Sequence, residues 1–257
     1  MKNHRLIPAL LLKDDGLVKT IKFNNPSYVG DPINAIRIFN EKEVDEILVI
    51  DITSTKEKKE PNYKLIEEFA GECFMPLTYG GGINNIDQAK KLFSLGVEKI
   101  CLQSAAFNDP LFISDLVNTF GSQSIVISFD IKRNLWKKPK IFLSENSSML
   151  KDLWVDKIKN IVSLGIGEIL INCVDRDGTL SGPDLEIISE VSNTLSVPVI
   201  ALGGISSLKD ISNTIQAGAS AVAAGSFFIY HGPHRAVLIN YPEYEIVKSL
   251  FSSENNL

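Results

Sequence analysis

Carboxylates that follow short apolar runs are the first residues of this chain that could do chemistry. They are Asp51 in "VIDITST", Asp130 in "SFDIKR", and Asp175 with Asp177 in "VDRDGT". A carboxylate at the end of a buried strand can transfer protons, although aspartate also caps loops. We interpret Asp130 as a catalytic residue, Asp177 as a cap or an assisting general acid, and Asp51 as mainly structural.

A repeated phrase supplies the second kind of candidate site. "PLTYGGGINN" returns as "PVIALGGISS" almost half the chain later. At this constant offset the pair Gly81–Gly82 aligns with the pair Gly203–Gly204, and Ser104 aligns with Ser226. Self-similarity at a fixed offset, without a gap, predicts that the chain consists of two copies of one half.

Each glycine pair follows an apolar run and precedes a helical pattern that begins with Asn or Ser residues. Glycine lets the backbone approach a ligand closely, and a helix N-terminus offers unpaired N–H groups that suit a phosphate. The repeat therefore predicts two phosphate sites that face each other across the fold. The alternative is that the glycines only form tight turns.

Eight apolar runs must position these residues, and they alternate with amphipathic segments such as "NNIDQAKKLFSLG". The runs are "RLIPALLL", "EILVID", "MPLTYG", "KICLQS", "SIVISFD", "EILINCV", "VPVIAL" and "AVAAGS". Alternation of strands and helices predicts a parallel sheet that is buried on both faces. An open doubly wound sheet is the alternative. Eight units with half-chain repetition favour a (β/α)8 TIM barrel with a twofold half-barrel repeat, as one domain over residues 1–257. The active site of such a barrel lies at the carboxyl ends of its strands.

Composition excludes several classes of function. The 257 residues are 44% hydrophobic and 22% charged, which is typical of a soluble globular protein, and the net charge of −5 argues against a nucleic-acid partner. The cysteines Cys73, Cys101 and Cys173 are too few and scattered for a disulfide framework, so we expect reduced thiols. The apolar run Leu6–Leu12 is too short for a signal peptide or a membrane span. We expect a cytoplasmic protein with no membrane partner.

Two segments could be mistaken for metal sites. "DRDGT" begins like a calcium loop, but Leu180 stands where that loop requires glycine. His231 and His234 have H-x-x-H spacing, for which capping or packing in a loop is the alternative. We expect no metal site. The C-terminal "SSENNL" is expected to be frayed.

At the level of whole motifs, the chain resembles the cyclase subunit of imidazole glycerol phosphate synthase, the HisF family. The resemblance is carried by "GDPINAIRIFNEKEVDEILVIDIT", "YGGGI", "FGSQ", "GEILINCVDRDGT" and "LGGI". It implies that ammonia from a HisH-type glutaminase subunit, bound as a heterodimer, crosses the barrel and reacts with a bisphosphorylated ribonucleotide. The implied products, in histidine biosynthesis, are imidazole glycerol phosphate and an aminoimidazole carboxamide ribotide. The family uses no metal or organic cofactor.

The resemblance also implies site residues. One phosphate would meet Gly82, Gln103 and Ser104, and the other would meet Gly178, Gly204, Gly225 and Ser226. Gln103 stands where the family has asparagine. Lys19 matches a lysine that contacts substrate from a mobile loop, and its segment "DDGLVKTIKFNNPSYVGD" is long and polar, which is typical of a lid.

Four further charges match the ring that gates the ammonia entrance in the family. They are Arg5, Glu46, Lys99 and Glu168. All lie near the starts of predicted strands, on the face opposite the phosphates. Surface salt bridges of little consequence are the alternative.

One departure bears on activity. The family pairs two aspartates, on its first and fifth strands, as acid and base; Asp130 is retained, but the first-strand position is Leu11. Within the repeat, too, Leu11 aligns with Asp130. Leucine cannot transfer a proton, and acid–base catalysis contributes ~10²–10⁴-fold. Either cyclase turnover is impaired, or the chain is a diverged paralogue that conducts ammonia for amidation of a surface-polysaccharide sugar. An unrelated phosphosugar isomerase is a third possibility, which the gate residues weaken.

Overall fold

The structure is a computed structural model that describes residues 4–252. Its strands are β1 (Arg5–Lys13), β2 (Gly16–Ile21), β3 (Asn24–Gly30), β4 (Ile47–Asp51), β5 (Leu77–Gly80), β6 (Lys99–Leu102), β7 (Ile125–Arg133), β8 (Pro139–Leu143), β9 (Ser148–Met149), β10 (Glu168–Cys173), β11 (Val199–Leu202), β12 (Ala221–Ala224), β13 (Tyr230–His231) and β14 (Ala236–Val237). Its α-helices are α1 (Pro32–Glu41), α2 (Tyr63–Gly71), α3 (Ile86–Ser94), α4 (Ser104–Asn108), α5 (Pro110–Phe120), α6 (Trp154–Val162), α7 (Leu185–Thr194), α8 (Leu208–Gln216), α9 (Ser226–Ile229) and α10 (Tyr244–Ser252).

Eight parallel strands close into a barrel. Their order is β10-β11-β12-β1-β4-β5-β6-β7, and pairing of β7 with β10 closes the ring. These strands coincide with the eight apolar runs, so the predicted (β/α)8 barrel is confirmed. Strand β1 lies opposite β7 in this order, which sets Leu11 and Asp130 across the barrel from each other.

The core has two layers, one inside the barrel and one between the strands and the helices. The inner layer is built from Ile7, Ala9, Leu48, Cys101, Val126, Leu170, Ile200, Ala221 and Ala223. Every residue of β5, β10 and β12 is buried, which explains why these strands read as continuous apolar runs. Full burial of one such aliphatic side chain contributes ~1.5–3 kcal/mol, so the two layers hold the loops at the strand ends in place.

The twofold repeat extends to the backbone. Gly81 and Gly82 have φ of 119° and 74°, and Gly203 and Gly204 have 107° and 93°. The helix that follows each pair is capped alike: the Asn85 side chain accepts from the Gln88 N–H, and that of Ser207 accepts from Asp210. These left-handed glycine conformations disfavour any side chain, so both halves need the same residues.

Two hairpins cover the carboxyl end of the barrel. The polar segment for which a lid was predicted forms the antiparallel hairpin β2–β3, with β2 paired to β1. Leu17 and Val18 are buried in this hairpin, and their apolar burial stabilises strand structure within an otherwise polar sequence. Hairpin β8–β9 extends β7, and the Phe23 and Phe142 rings of the two hairpins lie 6.2 Å apart.

None of the helices within residues 4–252 is long and apolar enough to cross a membrane. Most of the C-terminal "SSENNL" segment, for which fraying was predicted, lies outside the described residues.

Candidate active site

A cavity of about 180 Å³ opens at the carboxyl ends of the barrel strands, which we call the mouth. One water needs only ~10–15 Å³, so the cavity has room for a small organic ligand. The predicted catalytic residues Asp130, Lys19 and Asp177 all line it, together with Leu11. The structure thus brings together the side chains that sequence reasoning placed on three separate segments.

Asp130 is the buried acid of the mouth, with 6% of its surface exposed. Burial raises the pKa of its carboxyl group to about 7, while a hydrogen bond from Gln103 opposes that shift. The Gln103 Nε2 donates to Asp130 Oδ2 at 2.6 Å. A carboxyl group with a pKa near neutrality can both accept and return a proton.

Lys19 projects from β2 into the same cavity and is buried. Its Nζ donates to the Ala9 carbonyl at 2.5 Å. Burial lowers the pKa of the ammonium group to about 8, and the charge of Asp177 acts in the opposite direction. Lys19 therefore offers a cation whose charge is lost at mildly alkaline pH.

Asp177 connects the loop after β10 to hairpin β2–β3. Its Oδ2 accepts from the Thr20 hydroxyl at 3.0 Å, and its carbonyl accepts from the Lys22 N–H at 2.9 Å. Burial raises the pKa of the Asp177 carboxyl group above its usual range. Both predicted roles, cap and assisting acid, are compatible with this position.

Leu11 occupies the β1 position of the mouth, in register with Ile50 of β4 and Val18 of β2. Its side chain lines the cavity and carries no group that can exchange a proton. Asp130 is consequently the acid of one wall, and an alkyl group forms the facing wall.

The second predicted phosphate site lies at the ends of β10, β11 and β12. Gly178, Gly204, Gly225 and Ser226 line a small pocket there that adjoins the main cavity. A Cβ on Gly204 would strike the Gly182 carbonyl, and one on Gly178 would strike that of Thr20. Only glycine lets these backbone segments pack so closely.

The first predicted site lies on the other side of the mouth. Ser104 begins α4 as Ser226 begins α9, and the preceding residues Gln103 and Gly225 have nearly the same ψ, −79° and −76°. The Gly82 N–H donates to the Thr55 hydroxyl at 3.1 Å. The Gln103 side chain points to Asp130 and accepts from Ser144 Oγ at 2.8 Å, so it is engaged away from a phosphate at Ser104.

Crystals grown in sulfate are expected to show one anion at Gly82 and Ser104 and another at Gly204 and Ser226. The physical reason is that glycine-rich loops and helix starts present N–H donors without side-chain obstruction. Gly204→Val, which fills the second loop, should remove only the second anion. Anions bound solely elsewhere on the surface would contradict the assignment.

Two other aspartates predicted from the strand ends accept hydrogen bonds from neighbouring loop and strand residues. The Asp51 carboxylate accepts four hydrogen bonds, from the N–H and hydroxyl groups of Thr53 and Ser54, at 2.5–3.0 Å. Asp175 Oδ2 accepts from the Arg133 N–H at 2.7 Å. These contacts agree with the structural role predicted for Asp51.

At the opposite end of the barrel, the four predicted gate residues form a closed ring of alternating charge. Arg5 forms a salt bridge with Glu46 at 2.5 Å and another with Glu168. Lys99 bonds Glu46 at 2.9 Å and Glu168 at 3.0 Å. The Glu46 side chain is only 2% exposed, so this is not a set of independent surface pairs. Each acid contacts both bases, so the four side chains form one connected ion-pair network at the amino-terminal end of the barrel.

Sequence reasoning missed Asn172, which lies beside Asp130 in the β10–β7 register. Its buried Oδ1 has no hydrogen-bond partner among the described residues. A buried acceptor without a partner costs roughly 1–3 kcal/mol. The available signal was one amide among the apolar residues that follow Glu168 in "EILINCV".

Metal ligands are not clustered in the part of the chain that the structure describes, where no group of three or more His, Cys, Asp or Glu residues could hold an ion. His231 lies on hairpin β13–β14 and is exposed, as is His234 between the two strands. The structure leaves these two histidines at the surface, apart from the mouth.

Comparison with known proteins identifies the class. The model of the family described as "Histidine biosynthesis protein" matches residues 5–234. The chain therefore belongs to the histidine biosynthesis protein family.

The more similar relatives carry HisF names. A Pseudomonas aeruginosa protein named "Putative imidazole glycerol phosphate synthase subunit hisF2" is 49% identical over 95% of this chain and 97% of its own length. A Leptospira borgpetersenii protein named "Putative imidazole glycerol phosphate synthase subunit HisF" is 47% identical over 98% and 100%. "Imidazole glycerol phosphate synthase subunit HisF" of Exiguobacterium sibiricum is 35% identical over 87% and 90%. The resemblance seen in the motifs is confirmed.

Proposed function

We propose that this HisF-type chain is a cyclase subunit that uses ammonia from a HisH-type glutaminase partner. The acceptor would be a bisphosphorylated ribonucleotide, and the products would be imidazole glycerol phosphate and an aminoimidazole carboxamide ribotide. The observation that carries the proposal is that one barrel has a candidate functional site at each of its two ends. A closed charge ring lies at the amino-terminal end, and a mouth with Asp130, Lys19 and two glycine loops lies at the other.

The roles follow from the geometry. The two loops would hold the two phosphates and so fix the ligand across the mouth. The reacting atoms would then be oriented toward the catalytic side chains. Asp130 would act as base or acid. The Lys19 ammonium would stabilise negative charge that develops on the ligand, in a cavity where burial strengthens that interaction.

The barrel interior would be the route for ammonia. Between the ring and the mouth lie small or aliphatic side chains, including Ala9, Ala221 and Ala223. A neutral ammonia molecule crosses such an apolar layer far more readily than an ammonium ion does. The ring would accordingly admit ammonia only when the partner shifts its ion pairs.

Lys99→Glu is expected to uncouple the partner from the mouth. A third carboxylate next to Glu46 and Glu168 replaces attraction by repulsion, so the ring can no longer close. Glutamine-dependent product formation should fall about tenfold or more, equal to ~1.4 kcal/mol, while turnover with free ammonia is largely kept. The measurement is transfer of label from amide-¹⁵N glutamine to product.

The matched control is Lys159→Glu, the same charge reversal on an exposed lysine of α6. This control should leave coupling unchanged. Unaltered complex formation and unaltered label transfer in Lys99→Glu would remove the gate assignment.

The pH profile supplies a second test. Asp130 acts as a base only when ionised, so ammonia-dependent turnover should fall as pH drops below about 7. Lys19 is cationic only below its pKa, so turnover should also fall as pH rises above about 8. Turnover is measured at a constant concentration of unprotonated ammonia, because the supply of that species otherwise changes with pH.

Gln103→Leu removes a hydrogen bond that lowers the pKa of Asp130. The acid limb of the profile should therefore move to higher pH, and the alkaline limb should stay in place. An acid limb that does not move would show that Asp130 is not the group that titrates.

A second candidate function is favoured by Leu11. Without a carboxylate on β1, the protein could bind a phosphorylated ligand and conduct ammonia to another acceptor, such as a surface-polysaccharide sugar. In that case ligand binding and glutaminase coupling would persist while cyclisation would be negligible. Direct measurement of imidazole glycerol phosphate separates the two functions.

A further inference from the structure

We propose that Asn172 is a ligand-positioning residue whose amide oxygen accepts a hydrogen bond from a hydroxyl group of a phosphate-anchored polyol. The ligand class is a sugar phosphate or glycerol-type phosphate whose phosphate occupies the loop of Gly204 and Ser226. The inference deepens the proposed function and rests on it for that phosphate site.

The first observation is the unpaired oxygen. Asn172 is only 7% exposed, and its Oδ1 is buried without a hydrogen-bond partner among residues 4–252. The oxygen therefore remains available to a donor from outside the protein.

The second observation is where that oxygen lies. Asn172 lines the main cavity, so a ligand there can reach it. A Cβ built on Gly203 would lie 3.3 Å from Asn172 Oδ1, which places the oxygen beside the glycine loop after β11. Asn172 is also in register with Leu202, which lines both the cavity and the small phosphate pocket.

These positions define the ligand. A phosphate held by Gly204, Gly225 and Ser226 would leave its carbon chain beside Gly203, which also lines this pocket. A hydroxyl on that chain is the donor that Oδ1 lacks, and the reacting carbons would then continue toward Asp130. A ligand without hydroxyl groups would leave the oxygen unpaired and would bind more weakly.

The test uses two phosphates of matched size, sn-glycerol 3-phosphate and n-propyl phosphate, which differ in their hydroxyl groups. Affinities are measured by calorimetry for the full chain and for Asn172→Leu. The wild type should bind glycerol 3-phosphate about five- to tenfold more tightly than propyl phosphate, as expected for one hydrogen bond. Asn172→Leu should lose this preference, and its affinity for inorganic phosphate should be unchanged.

Asn172→Thr guards against a folding defect in the leucine variant, because the hydroxyl of threonine can still accept a hydrogen bond from a ligand. Asn172→Thr should keep part of the preference for glycerol 3-phosphate over propyl phosphate. Equal wild-type affinities for the two probes, no measurable binding of either probe, or a full preference in Asn172→Leu would overturn the proposal.

The proposed function is tested independently by label transfer from glutamine. Intact label transfer with no hydroxyl preference would remove only the role of Asn172. A clear preference without any transfer would retain that role in a protein of another function.

Discussion

Leu11→Asp is expected to raise ammonia-dependent formation of imidazole glycerol phosphate, by at most ~10²–10⁴-fold. The reason is that β1 faces β7 across the barrel, so the new carboxylate would supply the partner that Asp130 lacks. The gain should appear in kcat more than in the affinity for the ribonucleotide, because the phosphate loops are unchanged. The measurement is steady-state turnover of wild type and variant with ammonium salt.

The gain can fall short of that limit for a physical reason. Leu11 lies among Ile50, Ala9 and Leu202 in the cavity wall, and burial would raise the pKa of a carboxyl group placed there. Leu11→Asn is the matched control, since it adds polarity at similar size without a titratable group. Equal gains in Leu11→Asn and Leu11→Asp would show that polarity, not proton transfer, limits the wild type.

Asp130→Asn is expected to abolish most of the remaining turnover, again by ~10²–10⁴-fold, because no second carboxyl group faces the ligand from β1. Ligand affinity should change little. The variant is compared with wild type in the same ammonia-dependent assay, and also in the Leu11→Asp background. Retention of activity in both backgrounds would exclude Asp130 as the acid–base group.

The same substitution should stabilise the protein at neutral to alkaline pH. Burial raises the folded-state pKa of Asp130 from 3.8 to about 7, so the folded protein binds this proton more tightly than the unfolded chain does. The contribution of Asp130 to stability therefore decreases as pH rises from about 4 to about 7 and stays unfavourable above that. At about 1.4 kcal/mol per pKa unit, Asp130→Asn should gain up to a few kcal/mol at pH 8 and much less at pH 4. Thermal unfolding at the two pH values measures this difference, and a loss of activity with a gain of stability rules out misfolding.

The barrel was predictable because its strands are buried on both faces and its glycines are repeated. The eight apolar runs map onto eight strands, and the left-handed glycines recur in both halves. The strand-end position of Asp130 also followed from the sequence. Each of these features is determined by a short stretch of sequence that can be recognised without knowing its contacts with distant segments.

Other features depend on side-chain contacts between distant segments, which spacing does not encode. The segment around Lys19 forms a hairpin because Leu17 and Val18 find partners on β1. The Gln103 side chain turns to Asp130, although its backbone position suits the phosphate site. The unpaired oxygen of Asn172 is visible only when all its neighbours are placed.

The most direct test of the proposed function is quantification of imidazole glycerol phosphate made by the wild-type protein from the bisphosphorylated ribonucleotide and ammonium salt. Cyclase function with Leu11 in place predicts product above the uncatalysed background, at a rate ~10²–10⁴-fold below that of relatives with both aspartates. No product above background, while the ribonucleotide binds and the glutaminase remains coupled, would contradict cyclase function and would leave ammonia conduction to another acceptor as the function to test.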